Sequence, residues 1–180
     1  IKEDLRKFVK YLMHQVEKHA VNVMLNTEVN AEFVDLIKPD VLMLAVGSSP
    51  IVPGIEGINN ENVMHGCDVY TNPEKVGDTV AIIGGGLVGV EVGLHLDKLG
   101  KKVTIIEMAD DIAKEASYNY RFGIEVYMRD KDVDVLVNTK CTGITNEGVN
   151  VVTAEGREET VKADTVIYAV GMRSNYEAYE

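Results

Sequence analysis

The sequence predicts an α/β fold built on a parallel sheet, and three observations carry that expectation. The run from Val80 to Glu107, VAIIGGGLVGVEVGLHLDKLGKKVTIIE, reads strand, glycine turn, helix, strand. Its two strands are short, rich in β-branched residues and apolar throughout, as strands covered on both faces are. Further on, Glu155-Gly156-Arg157 joins two β-rich segments in a turn, so a β-hairpin or meander is expected beside the parallel sheet.

Taken in order, the chain opens on a helix from Glu3 to Lys18. Leu5, Phe8, Val9, Leu12, Met13 and Val16 recur at three- and four-residue spacing, and Lys2, Arg6, Lys7 and Lys10 fall on the other face. Acids share that helix and a strand pattern follows it, so it reads as packing on a core rather than on a membrane. His14 and His19 have no partners at ligand spacing and read as surface residues. A short strand over Val21 to Leu25, a small helix over Ala31 to Ile37 and a buried strand over Val41 to Val46 follow, the last ended by Gly47. Pro50, Pro53, Gly54 and Gly57 then mark an irregular connector. Val76 to Thr79 leads into the strand Val80–Ile83, a helix stops at Gly100, and a second strand covers Val103 to Ile106. A loop over Met108 to Asp111 precedes a helix from Ile112 to Arg129. Strands follow over Val133 to Val137, Val149 to Thr153, Glu158 to Lys162 and Thr165 to Val170.

Gly84-Gly85-Gly86-Leu87-Val88-Gly89 fits G-x-G-x-x-G, and its frame gives each residue a physical job. Gly84 permits a tight turn out of the strand. Gly86 carries no Cβ, so backbone can approach a pyrophosphate, and Gly89 lets the helix pack closely. N–H groups of the first helical turn, from Leu87 and Val88 onward, point at the phosphates. Glu107 lies 18 residues beyond Gly89, where an acid is expected to accept from ribose hydroxyls. Its charge would repel a 2′-phosphate, which favours NAD over NADP.

Composition removes other classes. A net charge of −11 leaves no basic footprint for nucleic acid, and no apolar run is long enough to span a bilayer. Cys67 and Cys141 are the only cysteines and form no C-x-x-C, so iron–sulfur, zinc and redox-dithiol sites are not supported. Two buried thiols in a reducing cytoplasm is the expectation, and no metal ligands are expected. Because the chain opens inside a helix pattern, it is expected to be part of something longer.

An internal echo points further. Asp40 to Gly47 (DVLMLAVG) and Asp164 to Gly171 (DTVIYAVG) share an acid, an apolar run and A-V-G. Each reads as a buried strand ending in small residues, suited to lie under a nucleotide, which suggests two related nucleotide-binding units.

The order A-V-G, connector, GGGLVGVE, Glu-ended strand, A-V-G-x-R-x-N resembles the two-dinucleotide-binding-domain flavoproteins. KPDVLMLAVGSSPIVPGI and GGGLVGVEVGLHLDKLGKKVTIIEM are similar to the NADH:flavin oxidoreductases of the 2-enoate reductase and 2,4-dienoyl-CoA reductase type. The resemblance covers nearly all 180 residues. It implies a Rossmann-like NAD(P)-binding domain over 76–175, preceded over 1–75 by part of an FAD-type domain with its connector, and a return segment over 176–180. It also implies that Gly84, Gly85, Gly86, Leu87, Val88 and Gly89 line the pyrophosphate, that Glu107 and Met108 hold the adenosine end, and that Val170 and Gly171 lie near the nicotinamide. Ala45 to Gly47 match the first A-V-G, which faces FAD in whole enzymes. Glu91 has two readings, a carboxylate at the nicotinamide–flavin contact or a solvated acid favoured by the helix dipole.

The implied activity is that of a cytoplasmic enzyme passing hydride from NADH to FAD, through a cluster to FMN, and on to an activated C=C bond. The sequence holds one G-x-G-x-x-G and no barrel or cluster cysteines. FAD, FMN and the iron–sulfur cluster are therefore expected only in the full-length protein, where this chain's partners are NADH and the flavin and iron–sulfur barrel of the parent polypeptide. The isolated piece is expected to be inactive. Cofactors carry the chemistry, so no side chain is expected to be catalytic. Tyr118, Tyr120 and Tyr127 read as core or interdomain packing. The alternatives are a fragment of a pyridine nucleotide–disulfide reductase or NADH oxidase, and a non-catalytic nucleotide-binding module.

Overall fold

Residues 3–175 are described by a computed structural model, and their contacts divide the chain into two units, Ile1–Ala45 and Val46–Glu180. The expectations for Lys2 and for a return segment over 176–180 lie outside the described residues.

The first unit contains α1 (Glu3–Lys18) and α2 (Ala31–Ile37), both with the expected limits. α2 begins where the Asn30 side chain accepts from the Phe33 N–H at 2.9 Å. It ends at Lys38, left-handed at φ 49°, whose N–H bonds the Val34 carbonyl. The expected strands over Val21 to Leu25 and Val41 to Val46 do not form. An apolar run becomes a strand only beside a neighbour that takes its ladder of backbone bonds, and neither segment pairs with a strand among the described residues. Met43 is accordingly 87% exposed. The expectation of a core-packing α1 is corrected for the same reason: without a sheet in this unit, Leu5, Phe8, Leu12 and Met13 remain exposed.

The second unit carries β1 (Ser48–Pro50), β2 (Val63–His65), two 3-10 turns (Gly66–Tyr70 and Pro73–Lys75), β3 (Thr79–Ile83), α3 (Leu87–Lys98), β4 (Lys102–Ile106) and α4 (Tyr118–Met128). β5 (Val133–Leu136), β6 (Lys140–Thr145), β7 (Gly148–Val152), β8 (Glu158–Lys162), β9 (Thr165–Tyr168) and β10 (Met172–Ser174) complete it. The main sheet has the order β2-β9-β3-β4-β5 and is parallel throughout. β6, β7 and β8 form an antiparallel meander. An α/β fold with a parallel sheet and a meander is what the sequence predicts.

β3 shows why its run is continuously apolar. Val80 and Ile82 belong to a cluster with Val90, Val92 and Leu96 of α3 and with Val103 and Ile105 of β4. Ala81 and Ile83 belong to a second cluster with Val149 and Val151 of the meander and with Val166. The alternation of a strand therefore sends each side chain from Val80 to Ile83 into one apolar layer or the other.

In this unit, further features depart from the sequence expectation. β2 enters the sheet edge from the connector, and its three residues are too few to show periodicity. β6 is rich in threonine and glycine, which hid it. α4 starts at Tyr118 rather than Ile112, because Ala113 is left-handed at φ 49° and its N–H bonds the Gly85 carbonyl at 2.7 Å, which holds the segment off a helical path. Cys67 is exposed rather than buried, since Gly66 and Val69 are the buried residues of its 3-10 turn.

The two halves of the internal echo meet in an unforeseen way. Asp164 begins the segment that forms β9, whereas Asp40 to Val46 forms no strand. Both closing glycines are left-handed, Gly47 at φ 75° and Gly171 at φ 115°. The strands just after them, β1 and β10, pair antiparallel with Ser48 opposite Ser174 and Pro50 opposite Met172. Asn175 closes this ribbon, donating from its side chain to the Val46 carbonyl at 3.0 Å and accepting from Ser49 Oγ at 2.8 Å.

Candidate nucleotide-binding site

β3, β4 and β9 run parallel, so the residues just after them gather at one edge of the sheet. The Gly84 loop follows β3, Glu107 and Met108 follow β4, and Ala169 to Gly171 follow β9. Ligands of open parallel sheets bind outside the carboxyl ends of the strands, and a cavity of about 550 Å³ lies there.

Glycine is required at two points of the loop. Gly84 has φ +107°, and a Cβ would stand 2.5 Å from the Ala169 carbonyl oxygen. At Gly89 a Cβ would stand 1.9 Å from the Gly84 carbonyl oxygen, so only a bare backbone lets α3 begin where it does. Gly86 differs: its φ is −67°, and the backbone around it is open apart from one side chain, the Glu115 carboxylate.

Of the residues singled out from sequence, Gly84, Gly86, Leu87, Val88, Glu107, Met108, Val170 and Gly171 all line this cavity. Gly85 and Gly89 lie buried beside it and shape the loop. Glu91 is outside the lining, one turn into α3, and its carboxylate accepts from the Tyr120 hydroxyl at 2.6 Å. That contact explains part of the tyrosine patch. Tyr118, Tyr120 and Tyr127 are exposed rather than core, because only Ile124 of α4 is buried.

Glu107 is braced from both sides. One carboxylate oxygen accepts from the Gly85 N–H at 2.6 Å and the other from the Ala109 N–H at 2.7 Å. Each oxygen keeps a lone pair, so the carboxylate can still accept from hydroxyls while its orientation is fixed by backbone. Beside it the Glu115 carboxylate accepts from the Leu87 N–H at 2.6 Å, at the first residue of α3.

Sequence reasoning missed Glu115, Pro53, Ile55, Thr139, Lys140 and Cys141, which also line the cavity. Glu115 was hidden by the helix expected over its position, and Thr139 to Cys141 by the unread start of β6. Burial pushes the Cys141 thiol up, so it stays protonated near neutrality. Among the described residues no group of three or more acids, histidines and cysteines could hold a metal ion, and no helix is long and apolar enough to cross a membrane.

Known proteins place this geometry in a family. The sequence model for pyridine nucleotide-disulphide oxidoreductases matches residues 15–180. A cinnamate reductase of Clostridium sporogenes is 34% identical over 99% of this chain and 27% of its own length. A bilirubin reductase of Mediterraneibacter gnavus is 32% identical over 97% of this chain and 27% of its own length. The structure of a 2-naphthoyl-CoA reductase superposes with a TM-score of 0.86 at 30% identity, over 97% of this chain and 26% of that one. The chain thus spans about a quarter of the length of the curated relatives it matches. By its matched sequence and its nucleotide-binding α/β architecture, it belongs to the pyridine nucleotide-disulphide oxidoreductase family.

Proposed function

We propose that this chain is the NADH-docking part of a multicofactor flavin-dependent oxidoreductase of the 2-enoate reductase and 2,4-dienoyl-CoA reductase type. Residues 76–175 take the nicotinamide nucleotide, and residues 1–75 belong to the FAD-type domain and its connector. One observation carries the reading: the glycine loop, the braced Glu107 and the second A-V-G converge on a single cavity. The cradle fits the nucleotide, because the volume above Gly86 is free of backbone and the α3 N-terminus opens into it.

In this reading the α3 N-terminus and the Gly86 backbone hold the pyrophosphate. Glu107 accepts from the adenosine ribose, Met108 lies against that end of the nucleotide, and Val170 and Gly171 back the nicotinamide. The bound nucleotide supplies a hydride, and the residues supply its placement. FAD, FMN and an iron–sulfur cluster belong to the parent polypeptide, in the cytoplasm, with an activated C=C compound as the acceptor. Relatives named as cinnamate, bilirubin and 2-naphthoyl-CoA reductases support that class of acceptor. An NADH oxidase of Thermoanaerobacter brockii, 32% identical, supports NADH as the donor.

Titrating the chain with NADH and NADPH by calorimetry tests the reading. NADH is expected to bind about tenfold tighter or better, since a 2′-phosphate would meet the Glu107 charge. Glu107→Gln should weaken NADH and narrow that gap. Equal affinities in the unaltered chain would reject Glu107 as the ribose acid, and binding of neither nucleotide would reject the docking role.

A further inference from the structure

We propose that the Glu115 carboxylate occupies the place of the dinucleotide's pyrophosphate and must be displaced for NADH to bind, so that this one side chain sets the affinity of the site. The inference rests on the NADH reading above and adds to it a competitor held within the chain.

Two measures of position agree. Glu115 Oε1 takes the Leu87 N–H at 2.6 Å, the backbone donor that opens α3. A Cβ built on Gly86 would stand 2.9 Å from the same oxygen and 4.0 Å from Oε2, so the carboxylate fills the volume that a missing side chain leaves open. Phosphate oxygens and carboxylate oxygens seek the same donors, and two anions cannot share one N–H at that distance.

The carboxylate does not belong to the helix it caps. It comes from the segment before α4, 28 residues away in sequence. That segment's backbone is anchored on the glycine loop itself, through the Ala113 N–H on the Gly85 carbonyl at 2.7 Å and the left-handed Ala113. Its other charges are engaged: Lys114 pairs with Asp110 at 2.5 Å, and Asp111 with Arg121 of α4. The anchored backbone therefore delivers Glu115 to the α3 N-terminus, while the exposed side chain is free to swing into solvent when a stronger anion arrives. Of the charged residues lining the cavity, Glu107 and Glu115 are acids and Lys140 is the cation. Removing Glu115 leaves that lining balanced.

The test compares the chain with Glu115→Gln and Glu115→Ala by NADH titration and by the Leu87 backbone amide resonance. Both variants are expected to bind NADH about five- to tenfold tighter, the alanine more so because it leaves no acceptor on the Leu87 N–H. In the ligand-free chain the alanine variant should shift the Leu87 amide. At saturating NADH that difference from the unaltered chain should vanish, because phosphate then meets the same N–H in both. NADH binding that is equal or weaker in both folded variants overturns the proposal, as does a Leu87 amide that ignores Glu115→Ala. NADH binding by neither the chain nor its variants rejects the docking reading itself, and the competitor with it.

Discussion

At the scale of single residues, the glycines of the motif are not interchangeable. A side chain at Gly84 or Gly89 would collide with backbone, and such substitutions would damage the fold before they tested binding. Gly86 separates the two effects. Its backbone angles suit any residue, and the one atom in the way is the end of the flexible Glu115 side chain. Gly86→Val is therefore expected to fold, with an unfolding midpoint close to that of the unaltered chain, and to lose NADH binding by about a hundredfold or more as its methyls fill the phosphate place. Circular dichroism and titration of the same sample check both halves, and unchanged affinity in a folded variant would put the phosphates elsewhere. Glu107 also has a structural side. Its two backbone hydrogen bonds tie the Gly85 loop to the residue after Met108, so truncating it to alanine would loosen the loop as well as remove the proposed ribose acceptor.

At the scale of elements, β3 and β9 are fastened by more than their ladder. Asp164 Oδ2 accepts from the Thr79 hydroxyl at 2.7 Å and from the Thr79 N–H at 2.9 Å, just where both strands begin. These two hydrogen bonds, the hydroxyl's first, hold the Asp164 carboxyl below the usual carboxylate range. A carboxyl with a lowered folded value contributes stability above its unfolded value and loses that contribution as pH falls through the folded one. Asp164→Asn should therefore destabilise the chain at neutral pH, and the gap between variant and parent should shrink on going to about pH 3. Urea unfolding at the two pH values measures this. A gap of constant size would mean that the charge of Asp164 is not what the hydrogen bonds hold. The same strands show where the sequence was legible. β3, β4 and α3 were placed within a residue or two, because continuous apolar strands set in a glycine frame leave few alternatives. The acid at Asp164 was visible only as half of an echo, and its function as a clasp depends on Thr79, 85 residues away. Glu115 and the start of β6 stayed hidden for a similar reason. Neither has a local period: Glu115 is positioned by Leu87, 28 residues away, and the start of β6 by Val152 at the far end of β7.

At the scale of the molecule, everything that forms the candidate site lies beyond Val46. Both core clusters, the cavity lining and the paired ends of the echo belong to the unit Val46–Glu180. Residues 46–180 alone are therefore expected to fold and to bind NADH within about threefold of the whole chain's affinity. Calorimetry on the two lengths checks this, and a larger loss would place binding contacts among the first 45 residues. The short ribbon of β1 and β10 has a mechanical consequence. Its register sets Ser48 against Ser174, so the two strands have their outer ends at neighbouring points, with the hydrogen bonds of the ribbon lying across the strands. A force that separates those two points loads the bonds one after another, as a zipper is opened, and never all together as in shear. The ribbon should peel at low tension while the five-stranded sheet stays intact, making it the weak link that yields first when Ser48 and Ser174 are pulled apart.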